Sequence, residues 1–200
     1  MAMADGNGRI NQKARTQQAI VDACVELIRH GQPVTMPEVA KVAMVSEATA
    51  YRYFPDLASL MAKALREDWP SPAEALTPVE TSNDPVERVA FATRFLLEGV
   101  AERQEVVRSM ISATITQPSL SSRARPGLRF GLIEYALAPF VGALESSNPE
   151  RLAQLRLDLA VVMSAEALFT LTDLCGLNVE DAIDSAERTA RTVTSVAFQQ

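Results

Sequence analysis

Apolar residues recur at helical spacing along almost the whole chain, and no segment alternates with period two for long enough to read as a strand. An all-α fold is therefore expected. Ile20, Cys24, Leu27 and Ile28 share one helix face, with His30 in the last turn and Gly31 as the stop. In "VTMPEVAKVAMV", Thr35 and Glu38 have the spacing of a capping box. Pro37 stands in the first turn, where its missing N–H costs little. Val39, Ala40 and Ala43 give this short helix a slim apolar face. Ser46 can cap a next helix that runs to about Tyr53. Pro55 and Asp56 then lead into another, carrying Leu57, Leu60, Met61, Ala64 and Leu65.

The pattern breaks at "DWPSPAEALTPVETSNDP", where four prolines in 18 residues exclude a continuous helix. This stretch reads as a connection, dividing the chain into domains over 1–67 and 68–200. Beyond it, long helices are expected at about 85–103, 104–116, 126–146, 149–175 and 179–198. Asp84-Pro85 and Asn148-Pro149 are cap-plus-proline starts, and Pro139 is placed to kink the third of these helices.

Charge separates the same two parts. The chain is -6 overall. Residues 1–67 hold eight Lys/Arg against seven Asp/Glu, whereas the remainder holds 11 against 18. A polyanion is tolerated by the first part and repelled by the second. The two cysteines, Cys24 and Cys175, lie among apolar neighbours, which suits a reduced cytoplasm better than a disulfide framework. No basic start leads into an apolar run, so no signal peptide is read, and no apolar run reaches the roughly 20 residues that span a bilayer.

Three short helices, the last two joined by a tight turn, make a helix-turn-helix unit. On a wheel of about 100° per residue, Ala50 points inward, flanked by Ser46, Phe54 and Tyr53. Ala48 and Arg52 point straight out, with Thr49 and Tyr51 beside them. Arginine can take guanine O6 and N7, a threonine offers a hydroxyl or a methyl, and tyrosine can donate to phosphate. Ala48 is small enough for close approach. Taken alone, the stretch is equally compatible with a surface helix carrying a solvated arginine and half-buried rings.

The span "AIVDACVELIRHG…VTMPEVAKVAMVSEATAYRYFPDLASLMAKAL" resembles the DNA-binding region of the tetracycline-repressor-like (TetR) family of bacterial regulators. The resemblance covers about residues 15–65 and rests above all on "VS-A-T-YRYF" with a leucine-containing helix after it. It implies that Ser46, Glu47, Ala48, Thr49, Tyr51, Arg52 and Tyr53 meet bases and phosphates, and that Thr35 meets phosphate. Two positions depart from the family pattern. Met44 stands where glycine is usual, at a cost of about 1 kcal/mol if φ is positive there. Leu57 stands where a phosphate-binding lysine is frequent. Glu47 can accept from cytosine N4 or stabilise the helix start, and the second role is preferred. Arg9, Lys13 and Arg15 form either a compensating basic arm or a frayed terminus.

A helix over 149–175 would be about 40 Å long. Its Leu152, Leu155, Leu159, Val162, Met163 and Phe169 face more than one side, so it needs two partners. Ala182, Ile183, Ala186, Ala190, Val193 and Ala197 form a seam that permits close helix contact. The resemblance likewise implies a homodimer through helices 149–175 and 179–198. The expected function is a ligand-released repressor on a palindromic DNA operator. A helical small-molecule-binding protein or enzyme without a DNA role is the alternative, and a structural interaction protein a third reading. For a small-molecule effector, the candidates are Trp69, Phe91, Phe95, Met110, Thr114, Phe130 and Tyr135, with Arg94 and Glu134 as polar contacts. Together they suit an apolar or aromatic compound. No catalytic set, cofactor fingerprint or metal-ligand spacing appears, and His30 suits a helix C-terminus better than a metal.

Overall fold

Among the described residues, eleven α-helices follow one another and no strand forms. The structure is a computed structural model that describes residues 5–120, 124–142, 144 and 148–199; side chains of residues 5–10 and 120 are outside that description. Two compact units result, one from residues 1–69 with 103–126, the other from 70–102 with 127–200. The first thus takes in residues 103–126, which the proline-rich boundary alone assigns to the second domain.

In the first unit, α1 (Asp5–Arg29) buries Ile20, Val21, Cys24, Leu27 and Ile28. This stripe packs on α4 (Leu57–Asp68) through Leu60, Met61, Ala64 and Leu65. The helix begins well before the apolar stripe, so Lys13 and Arg15 are exposed residues of α1; the side chain of Arg9 lies outside the described residues. Burial pushes the Cys24 thiol up to about 12, so it is a core residue and not a reactive thiol. α1 ends as its sequence suggests. Gly31 has φ 60°, its N–H reaches Ile28 O at 3.1 Å, and Gln32 N–H reaches Leu27 O at 2.9 Å. The His30 ring donates through Nδ1 to Glu26 O at 2.8 Å.

Short helices α2 (Met36–Val42) and α3 (Glu47–Tyr53) pack on each other, and α2 also packs on α1. Thr35 caps α2, its hydroxyl accepting from Glu38 N–H at 3.3 Å. The Glu38 carboxylate turns to Lys41 at 3.5 Å, so the reciprocal arm of the expected capping box is not made there. A complete box appears instead at Ser71 and Glu74, starting α5 (Pro72–Ala75) in the second unit. The proline-rich stretch is therefore ordered. After α5 it makes a 3-10 turn at Thr77–Val79 and buries Ala75, Leu76 and Val79.

The rest of the second unit is a set of packed helices. α6 (Pro85–Glu102) lies against α11 (Val179–Phe198) and α8 (Leu128–Leu137). α9 (Pro149–Val162) packs on α11 and α8. α7 (Gln104–Thr116) belongs to the first unit and packs on α4. The expected helix over 126–146 gives way after Leu137 to a 3-10 turn at Ala138–Phe140, because Pro139 has no N–H to continue the α ladder.

The expected single helix over 149–175 is also broken. Met163 leaves helical geometry at φ -81°, ψ 60°, and Ser164 is extended. The Ser164 hydroxyl accepts from Ala167 N–H at 3.0 Å and starts α10 (Ala165–Phe169). A π-turn at Thr170–Leu174 follows, and Gly176 closes it at φ 71°. The small-residue seam of α11 is turned inward. Ala182, Ile183, Ala186 and Ala190 are all buried against this chain's own helices. What remains outward is a different stripe, with Leu157 and Val161 on α9 and Val196 on α11 exposed.

A buried arginine ties this unit together. Arg88 on α6 is 2% exposed. Its Nη1 donates to Val79 O at 2.7 Å and Glu80 O at 2.9 Å, Nε to Ala136 O at 2.9 Å, and Nη2 to Tyr135 O at 3.1 Å. The last bond has a cause in the sequence. Tyr135 O would accept from residue 139 in a continued α-helix, and residue 139 is proline. The guanidinium supplies the missing donor.

Candidate nucleic-acid interface

α3 is seven residues long, too short to persist alone. Local bonds and two apolar anchors hold it. Ser46 caps it, accepting from Thr49 N–H at 3.2 Å and sharing a hydroxyl–hydroxyl bond with Thr49 at 2.9 Å. Ala50 is 0% exposed and Phe54 5% exposed, so the inward face is committed to the core. Glu47 lies in the first turn, where its charge complements the helix N-terminus.

The opposite face is bare. Ser46, Glu47, Ala48, Tyr51 and Arg52 are exposed, while Thr49 and Tyr53 are half-buried. The Arg52 guanidinium lies 5.5 Å from the Tyr53 ring centroid, and no described carboxylate pairs with it. Thr35 and Lys41, at the two ends of α2, are exposed as well. The geometry thus brings together Ala48, Thr49, Tyr51 and Arg52 in one helical turn, with Thr35 at the start of the preceding helix. Lys41 is a further cation of this region that spacing alone does not single out. Leu57, in the first turn of α4, is half-buried, and Asp56 caps that helix by accepting from Ser59 N–H at 2.7 Å.

The turn between α2 and α3 is made by Met44, at φ 53°. Its N–H reaches Lys41 O at 3.2 Å, and Val45 N–H reaches Ala40 O at 2.9 Å, the same pairing that closes α1. Positive φ here costs a methionine about 1 kcal/mol relative to glycine. At the end of α4, the Asp68 carboxylate is almost wholly buried. It takes Arg29 Nη2 at 2.5 Å and Arg103 Nη2 at 3.3 Å, and Arg103 also lies over the Trp69 ring at 5.1 Å. Those contacts join α1, the end of α4 and the residue preceding α7.

No family model and no curated protein matches the chain. A solved structure does. The crystal structure of a TetR transcriptional regulator from Rhodococcus sp. RHA1 superposes at a TM-score of 0.62 with 21% identity, covering 90% of this chain and 96% of that one. The chain has the fold of a TetR regulator. The likeness extends well beyond the helix-turn-helix region, across the second unit, where sequence resemblance is not visible.

Within this TetR-like fold, the effector candidates fall in different surroundings. In the second unit, Phe91 and Phe95 are half-buried on α6, and Tyr135 is half-buried on α8 with Arg88 5.9 Å from its ring centroid. Phe130 is 57% exposed. The two polar candidates are engaged: Glu134 pairs with Arg156 at 2.8 Å, and Arg94 is held by Glu187 at 2.8 Å, Glu180 at 2.9 Å and Asp184. These hydrogen bonds, that to Glu187 foremost, raise the Arg94 pKa further above its ordinary value. In the first unit, Trp69 and Met110 are buried, and the buried Thr114 hydroxyl donates to Ile111 O and accepts from Arg125. Glu98, four residues on, also pairs with Arg94 at 3.6 Å, but spacing could not foresee the rest of the cluster, whose acids lie some 90 residues away on α11. Among the described residues no group of three or more His, Cys, Asp or Glu could hold a metal ion, and no helix is long and apolar enough to cross a membrane.

Proposed function

We propose that this protein is a DNA-binding transcriptional regulator that works in the cytoplasm as a homodimer. The observation that carries the reading is the bare face of α3. Arg52, Tyr51 and Ala48 are exposed on a helix whose other face is anchored by Ala50 and Phe54. A helix kept only for packing has no use for an arginine and a tyrosine directed at water in the same turn. Thr35 and Ser46, both exposed, are the proposed phosphate contacts, and Arg52 the proposed reader of a guanine. One such helix reads too few base pairs to be selective, which argues for two copies. Leu157, Val161 and Val196, exposed on α9 and α11, are the proposed dimer face.

The regulator is a repressor released by an apolar or aromatic compound. The half-buried rings of Phe91, Phe95 and Tyr135 are the contacts proposed for it. Release requires that the compound bind a DNA-incompetent state more tightly, and the shift cannot exceed that difference in affinity. The test is selection of duplexes from a randomised pool with the intact protein, followed by footprinting. The expected product is a palindrome with half-sites about one helical turn, roughly 34 Å, apart or a multiple of it. Failure to enrich any sequence would sink the reading.

A further inference from the structure

We infer that Met44 is itself a contact to the operator, supplying an apolar tip to a thymine methyl beside the face of α3; this rests on the DNA-binding reading above. Two helices of the first unit end in the same hydrogen-bonded turn, and each needs a residue at positive φ. α1 uses Gly31, which adopts φ 60° freely. α2 uses Met44, the one non-glycine at positive φ among the described residues. The side chain gains nothing from the fold in return, since Met44 is 91% exposed. The other described methionines, Met36, Met61, Met110 and Met163, are at most 3% exposed. Met44 therefore breaks two local rules at once, in backbone conformation and in burial. Such breaches are expected where function and not stability selects the residue.

Position supplies the occupant. Met44 lies three residues after the exposed Lys41 and two before Ser46, where the exposed run Ser46–Ala48 begins. It is thus continuous in the chain with the proposed DNA face. A flexible, polarisable thioether can follow an uneven groove wall, and an apolar side chain can mark thymine by its C5-methyl. Having no charge, it contributes to selectivity without a counterion term.

The test sets stability against affinity. Met44→Gly relieves the backbone strain and removes the tip, and Met44→Asn tolerates the same conformation but is polar. Both variants are titrated with the duplex that the wild-type protein selects from a randomised pool, alongside Arg52→Ala and a random duplex. Melting temperatures are measured in parallel. The expected result is a higher melting temperature, by about 2 °C. Affinity for the selected duplex should fall by roughly threefold to tenfold, with binding to the random duplex and the salt slope unchanged. Uracil in place of thymine at one operator position should reproduce the loss. Unchanged or tighter binding by both Met44 variants, while Arg52→Ala loses affinity, overturns the Met44 contact and leaves the DNA-binding reading intact. If Arg52→Ala also binds normally, the helix-turn-helix reading fails and the Met44 contact with it.

Discussion

Arg52 and Arg88 are the same residue in opposite circumstances. Arg88 is sunk in the second unit, where four backbone carbonyls from two chain segments receive its donors. Arg52 stands on a seven-residue helix with only a neighbouring ring for company. The first closes open backbone ends and is structural, whereas removal of the second leaves no buried group unsatisfied. A cation that the fold does not need is the better candidate for work outside it. The same contrast holds between Arg94, which is held by carboxylates of α11, and Arg52, which is bare at the helix-turn-helix face.

That contrast can be broken by mutation. The largest effect is expected at Arg88. Arg88→Met keeps the apolar stem but removes the donors of four carbonyl bonds, of which Val79 O retains another partner in the Ser82 N–H, and should destabilise the protein by about 3 kcal/mol in denaturant unfolding. A loss under 1 kcal/mol would mean that water replaces the guanidinium easily. Arg52→Ala should do the reverse. It should weaken operator binding by roughly 1–3 kcal/mol while changing stability by no more than about 0.5 kcal/mol. Ser164→Ala sharpens the picture of the second unit, since loss of the cap that restarts the helix at α10 should cost about 1 kcal/mol. If stability is unchanged there, the break lies in the Met163 backbone and not in the serine.

Two smaller effects concern charge. Glu187→Gln removes one of the carboxylates around Arg94, which is partly solvated. The expected loss is under about 1 kcal/mol and should shrink further as salt rises. A salt-independent loss would point to packing. Leu57→Lys should steepen the salt dependence of binding to any duplex by about one unit per subunit engaged. An unmoved slope would show that the start of α4 does not face phosphate.

What could be read from the sequence follows from the range of the interactions. Caps at Thr35, Ser46 and Asn148, the Gly31 stop and the inward Ala50 are local or follow helical periodicity, and all are in place in the structure. The conditional expectation at Met44 also became definite, because one dihedral decides it. Longer-range features were not legible. Arg88 joins segments 48 residues apart, and no spacing rule links an arginine to the carbonyl that Pro139 leaves open. The restart at Ser164 was hidden because leucines continue helical periodicity across it. The α11 seam was read for its shape, which permits close contact, but shape does not name the partner, and the chain's own helices take it.

The bare face of α3 is proposed to bind DNA selectively. Its most direct test is fluorescence-anisotropy titration, at one fixed salt concentration, of the selected duplex and a random duplex with wild-type protein and Arg52→Ala. The substitution should weaken binding to the selected duplex by about tenfold to a hundredfold and narrow the gap to the random one, with the melting temperature unchanged. Equal affinities of the two proteins for the selected duplex would contradict that proposal.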